Sequence, residues 1–168
     1  FIYGHTKSKN FLTSNYKNIK LNNLASKLRS TTTEYARKLI KELNINSYNI
    51  IEIHNRPQLL FKLVKNVKCR YIFYFHNDPL SMKGSKSTRE RLKILASVDK
   101  IIFVSEWVRD RFFSNIDQKL LTKTEIVYPS VYKQNEIKKK KNIMFVGKLN
   151  YSKGYDLFKN SIIKILNE

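Results

Sequence analysis

Short apolar runs rich in β-branched and aromatic residues alternate along this chain with stretches whose apolar positions recur every three or four residues. The first pattern fits a strand buried in a sheet, and the second fits an amphipathic helix. Thr31 to Leu43 predicts a helix, because Tyr35, Leu39 and Leu43 fall at spacing four and Ser30 or Thr31 can cap the first amides. Asn49 to Ile53 predicts a strand. Pro57 then opens a helix running to Lys65, where its fixed φ and missing N–H are harmless in the first turn. Tyr71 to Phe75 predicts the next strand, followed by a loop with Pro79 and Gly84 and a helix from Ser87 to Ser97 that places Leu92, Leu95 and Ala96 on one face. Lys100 to Val104 reads as a strand and Glu106 to Phe113 as a helix capped by Ser105, with Trp107 packing on the helix face. Thr124 to Tyr128 makes a further strand, ended by Pro129.

This alternation predicts an α/β protein with a doubly wound, Rossmann-like parallel sheet covered by helices. The like-charge run Lys138 to Lys141 reads as a solvated connector, after which the pattern restarts. Asn142 to Val146 predicts a strand, Gly147 to Gly154 a loop, and Tyr155 to Leu166 an amphipathic helix. The expected organisation is a main domain over 1–130, a basic linker over 131–141, and the opening strand, loop and helix of a second Rossmann-like domain over 142–168. The 168 residues suffice for one well-buried domain and are few for two. Phe1-Ile2-Tyr3-Gly4 looks like the end of a strand whose beginning is missing, so a truncated N-terminus is expected. A lone strand and helix cannot bury both faces of a sheet, so residues beyond about Asn142 are expected to be the least stable, or to lean on the first unit.

Composition changes the picture in one respect. Lys and Arg number 33 against 13 Asp and Glu, a net charge of +20 that would attract phosphates, nucleic acid or an anionic membrane surface. The same charge also follows from a chain in which Lys, Asn and Ile are abundant throughout, so it serves either as function or as composition. No apolar run approaches the roughly 20 residues needed to span a bilayer, and no leader pattern opens the chain, so a cytoplasmic location is expected. Cys69 is the one cysteine and reads as a bystander, and Asp99 reads as a turn residue.

In open α/β sheets, ligands bind beyond the carboxyl ends of the strands. Two such positions rhyme here: His54-Asn55-Arg56-Pro57 follows one strand and His76-Asn77-Asp78-Pro79 follows the next. If the two strands are neighbours, both histidines and both asparagines point to one edge of a crevice. Asn and Pro are also ordinary turn formers, and a histidine at a strand end is often held only by a nearby carbonyl. No Cys/His spacing of zinc type, calcium loop or nucleophile elbow occurs, and no metal is expected. In the loop after Val146, Gly147 permits a tight turn off the strand and Gly154 a close backbone approach at the start of the helix. Exposed first-turn amides there favour an anion, which Lys148 and Lys153 can bracket. The spacing is neither that of a Walker loop nor that of a dinucleotide turn, and a plain lysine-bearing loop is the competing reading.

The order of several pieces resembles the retaining family-4 glycosyltransferases of the GT-B fold. They are Tyr74-Phe75-His76-Asn77, Ala96 through Glu106, Ile126-Val127-Tyr128-Pro129, and Phe145-Val146-Gly147-Lys148 through Lys153-Gly154. The resemblance spans about residues 48 to 168 and implies two Rossmann-like domains facing across a cleft, the first mainly for the acceptor and the second mainly for the nucleotide-sugar. It implies that His76 reaches the donor sugar near the reacting centre as the catalytic residue. It also implies that Gly147, Lys148, Lys153 and Gly154 bind the donor's diphosphate, the lysines stabilising charge on the leaving nucleotide. His54, Asn55, Arg56 and Asn77 are then candidates for the acceptor side of the cleft.

Transfer would proceed with retention and without a cofactor or obligatory metal. The acceptor would be a sugar, glycolipid or polysaccharide of cell-surface, lipopolysaccharide or glycolipid synthesis. Peripheral contact with an anionic membrane at its inner face is compatible with the charge, and no specific nucleic acid is expected. The chain departs from the family in two places: Lys148 stands where arginine is usual, giving up a bidentate grip on phosphate, and Tyr128-Pro129-Ser130-Val131 replaces Pro-Asn-Gly-Val. The paired glutamates of the second domain are absent before Glu168, so these 168 residues alone are expected to turn over no nucleotide-sugar. Two other readings stay open: a basic module that binds nucleic acid or an anionic membrane, and a non-catalytic Rossmann-like domain.

Overall fold

A computed structural model describes residues 1–4, 15–21, 30–131 and 143–166. Among them the chain is α/β with parallel sheets, an arrangement compatible with a Rossmann-like fold. The strands are β1 (Ile2–Gly4), β2 (Tyr16–Asn18), β3 (Ile50–His54), β4 (Arg70–Phe75), β5 (Lys100–Phe103) and β6 (Thr124–Ile126). The helices are α1 (Thr31–Ile45), α2 (Pro57–Leu63), α3 (Thr88–Ser97), α4 (Glu106–Phe113) and α5 (Tyr155–Leu166). Two compact units divide the chain, Phe1–Ser130 and Val131–Glu168. The expected linker lies almost wholly outside the described residues.

In the first unit β1 pairs with β2, and β3-β4-β5-β6 form a second sheet in sequence order, every pairing parallel. Alternation divides the larger sheet into two faces. Ile53, Tyr71, Phe73, Phe75, Ile101 and Phe103 form a buried face with the apolar sides of the helices, including Leu39, Leu60, Leu63, Ile94 and Phe112. Each such side chain contributes roughly 1.5–3 kcal/mol when fully buried. Glu52, His54, Tyr74 and Ile102 lie on the opposite, half-exposed face, which also carries an ion pair between Lys100 and Glu125. Consecutive parallel strands joined by right-handed crossovers place their helices on one side, which is why one face of this sheet is so much drier than the other.

A cavity of about 470 Å³ separates β1 from β3, lined by Ile2, Tyr3, Tyr35, Leu39, Ile51 and His54 among others. The Tyr3 and Tyr48 hydroxyls meet across it at 2.7 Å. No backbone pairing joins the β1-β2 sheet to the β3-β6 sheet among the described residues.

Side-chain caps mark the starts of α1, α3 and α4. Ser30, Ser87 and Ser105 each accept a first-turn amide with the side chain, and Ser87 with Glu90 completes a capping box at α3. Asp99 ties the start of β5 to β4, accepting the Tyr71 N–H at 2.8 Å and donating its own N–H to Tyr71 O.

Three expectations need correction. The buried side of α3 is Arg91, Ile94 and Leu95, while Leu92 and Ala96 are exposed. Trp107 is 58% exposed, since Val108, Phe112 and Phe113 occupy the inner side of α4; the Arg111 guanidinium lies 5.8 Å from its ring centre instead. Residues 143–146 form no strand, because among the described residues no neighbouring strand exchanges backbone hydrogen bonds with them. Among its described residues the second unit holds no fully buried side chain; the Phe145 ring meets those of Tyr155 and Phe158, and Val146, Leu149 and Leu157 are exposed.

Candidate functional site at the carboxyl ends of two adjacent parallel strands

Register decides what meets at the carboxyl edge of the sheet. His54 lies opposite Tyr74 in the β3–β4 pairing, which sets His76 diagonally beyond His54 on the same face. The two imidazoles are joined by a 2.7 Å bond between His54 Nδ1 and His76 Nε2, with their planes within 16° of parallel. Tyr74 lies flat against both, its ring centre 4.4 Å from that of His76 and 5.2 Å from that of His54. Its hydroxyl donates to Val127 O at 3.1 Å, which anchors the ring to the segment after β6.

Glu52, two residues before His54 and therefore on the same face, places Oε1 2.6 Å from His54 Nε2. The sequence reading did not single it out. Its signal was the period-two spacing to His54, which carries meaning only once β3 is known to expose that face.

Asn55 does a structural task. It takes a left-handed conformation at φ 50°, a region asparagine tolerates better than most residues. Its N–H donates to Tyr74 O at 2.9 Å, and its Oδ1 accepts the His76 N–H at 2.8 Å, so the ladder continues past the end of both strands. Arg56 turns away from the histidines: its guanidinium sits 5.5 Å from the ring centre of Tyr35, at the start of α2. Asn77 is exposed beside His76.

Asp78 is held by Arg111 of α4, whose Nε and Nη2 approach its two carboxylate oxygens at 3.3 and 3.2 Å. Those bonds are the main reason its pKa lies below the ordinary aspartate value. The loop after β4 is thereby fastened to the helix after β5. Burial, and next the neighbouring His54, lower the pKa of His76, while Glu52 acts in the opposite direction. Among the described residues, no group of three His, Cys, Asp or Glu side chains is arranged to hold a metal ion.

The lysine-bearing loop forms its own small structure in the second unit. Gly154, at φ 70°, adopts the left-handed conformation that glycine takes without strain. A Cβ built on Gly147 would lie 3.9 Å from Lys153 Cβ, so the two ends of the loop are close, and Lys148 and Lys153 are both exposed. The amides of Lys153, Gly154 and Tyr155 are already taken by the carbonyls of Asn150, Tyr151 and Asn150. The turn over Tyr151–Lys153 thus uses the amides that lead into α5, whereas among the described residues no hydrogen bond takes those of Asp156 and Leu157 in its first turn, to which Asp156 also adds a carboxylate. The exposed lysine side chains and the amides of Asp156 and Leu157 are what remains to meet an anion.

No helix among the described residues is long and apolar enough to cross a membrane. Comparison with protein-family models, with curated proteins and with solved structures gives no match.

Proposed function

We propose that this chain carries the acceptor side, and the opening of the donor side, of a retaining glycosyltransferase of GT-B type. The observation that carries the reading is the His54–His76 bond at the carboxyl ends of two adjacent parallel strands. It unites the two rhyming sequences at the edge where α/β sheets bind ligands. Support also comes from the order of the motifs, which ends in a loop with two exposed lysines ahead of a helix.

In this reading the His76 imidazole, held neutral by its lowered pKa, offers hydrogen bonding to the donor sugar without placing a second positive charge beside the reaction centre. Lys148 and Lys153 neutralise charge on the departing diphosphate, the kind of prearranged electrostatic help that lowers such barriers most. The acceptor is a sugar, glycolipid or polysaccharide hydroxyl. The +20 charge supports work beside an anionic membrane at its cytoplasmic face.

Binding of UDP-glucose and GDP-mannose to the 168-residue chain, followed by NMR in 0.15 M salt, tests this directly. Each lysine lost removes a charge-assisted contact, so the Lys148→Ala, Lys153→Ala double variant is expected to bind about tenfold or more weakly. The nucleotide-sugars, but not the bare nucleoside diphosphates, should move the ring signals of His76. Binding that is no stronger than that of generic RNA or anionic vesicles, and that is untouched by the double substitution, would instead support a basic binding module.

A further inference from the structure

We infer that Glu52, acting through His54, sets which ring nitrogen of His76 carries a proton, so that His76 Nδ1 is a bare acceptor while His54 is neutral and becomes a donor when His54 is protonated. An ionised carboxylate can only accept, so its approach to within 2.6 Å favours a proton on His54 Nε2 over a lone pair. A neutral imidazole carries one proton, which leaves His54 Nδ1 as an acceptor. The 2.7 Å bond from that atom to His76 Nε2 then requires the proton to lie on His76 Nε2. His76 Nδ1 is left with a lone pair, and it makes no hydrogen bond among the described residues.

Protonation of His54 reverses the chain. Both nitrogens of His54 then donate, His76 Nε2 must accept, and the single proton of His76 moves to Nδ1. The same connectivity is a relay. A proton passing from a ligand hydroxyl to His76 Nδ1, leaving the oxyanion, is matched by transfer of the Nε2 proton to His54 Nδ1. His76 stays neutral throughout, and the positive charge comes to rest on His54 against the Glu52 carboxylate.

The surroundings favour this arrangement. Tyr74, flat against both rings, keeps them in their common orientation, and its hydroxyl is engaged with Val127 O. The other charged side chains on this face of the sheet are tied elsewhere: Lys100 to Glu125, and Arg70, at the opposite end of β4, to Asp99. Glu52 is thus a positioning residue. Its use in catalysis rests on the glycosyltransferase reading, whereas the tautomer assignment does not.

Long-range proton–nitrogen NMR of the ¹⁵N-labelled chain reads the protonation of each ring nitrogen. Near neutral pH, His76 should show a protonated Nε2 and an unprotonated Nδ1, and acidification that protonates His54 should exchange the two. Glu52→Ala, at a half-exposed position, and His54→Phe, which keeps a flat ring beside Tyr74, should each abolish the single-tautomer pattern and move both nitrogens towards the averaged position of an unbiased imidazole. Glu52→Gln, which can accept but also donate, should weaken the bias in part. A His76 protonated on Nδ1 at neutral pH, or one unchanged in Glu52→Ala while the backbone spectrum is preserved, would overturn the inference. A chain that shows the tautomer pattern but binds no nucleotide-sugar would retain the relay and remove the proposed function; the reverse result would do the opposite.

Discussion

Replacing Arg91 with alanine is expected to lower the unfolding free energy of the Phe1–Ser130 unit by about 3 kcal/mol or more, read as a lower urea midpoint in far-ultraviolet circular dichroism. Arg91 is only 2% exposed. Among the described residues no carboxylate bonds to it; its guanidinium donates to Lys86 O at 2.7 Å, Ser114 O at 2.6 Å, Ser85 O at 3.3 Å and Thr88 Oγ1 at 3.4 Å. Ser114 closes α4, so its carbonyl belongs to the negative end of that helix and suits a cation. Alanine would leave these carbonyls without a donor and open a void in the core. Lysine should recover less than half the loss, because an ammonium cannot reproduce a planar fork that reaches two chain segments at once. A midpoint for Arg91→Ala within the scatter of ordinary surface substitutions would show that the guanidinium is dispensable. Burial also depresses the guanidinium pKa, although arginine stays charged across the working range.

Phe75→Ala should be at least as damaging, at about 3–5 kcal/mol. The side chain is fully buried, with ring centres of Phe73, Phe112 and Phe103 at 4.6, 5.2 and 5.8 Å. Three elements, β4, β5 and α4, meet on it. Domains of this size commonly have only about 5–15 kcal/mol of net stability, so the alanine variant should lose a large share of it and unfold at a much lower urea concentration. Phe75→Leu, which leaves a smaller void, should fold with a reduced midpoint. Because Phe75 immediately precedes His76, the loosened leucine variant should also blur the His76 ring signals. Leu92→Ala on the exposed side of α3 is the control and should change stability by no more than about 0.5 kcal/mol. A larger loss there than at Phe75 would mean that the two faces of the sheet and helices have been exchanged.

Much of the candidate site was legible beforehand for a specific reason. Chemistry in parallel α/β sheets gathers where strands end, and strand ends announce themselves through turn residues, so His54 and His76 stood out as a pair. Their contact was not legible. It depends on β3 and β4 being neighbours in a register that sets His54 opposite Tyr74, and strand order is a long-range property. Glu52 was missed for the same reason, since an acidic residue in a strand gains meaning only when the exposed face is known. The lysine loop is a mixed case: Gly154 took the left-handed turn that glycine favours, and the amides of Lys153, Gly154 and Tyr155 bond within the loop while those of Asp156 and Leu157 make no bond among the described residues.

By itself the sequence determined the kinds of element and most of their limits. Hydrophobic period and capping chemistry act over a few residues, so Ser30, Ser87 and Ser105 marked helix starts that the structure keeps. Tertiary structure alone decided the remainder. In α3 the helical period permits a face through Arg91, Ile94 and Leu95 as readily as one through Leu92, Leu95 and Ala96, and residue type argues for the second. The first prevails because the Ser114 carbonyl at the end of α4, with the Ser85 and Lys86 carbonyls before α3, accepts from the Nη atoms of the buried guanidinium. The short β2 lacks an apolar alternation and exists through its pairing with β1, whereas residues 143–146 have a strand's composition and no partner among the described residues. Backbone hydrogen bonds between strands, and the shelter a core gives a charge, come from residues distant in the chain, and local pattern carries no information about them.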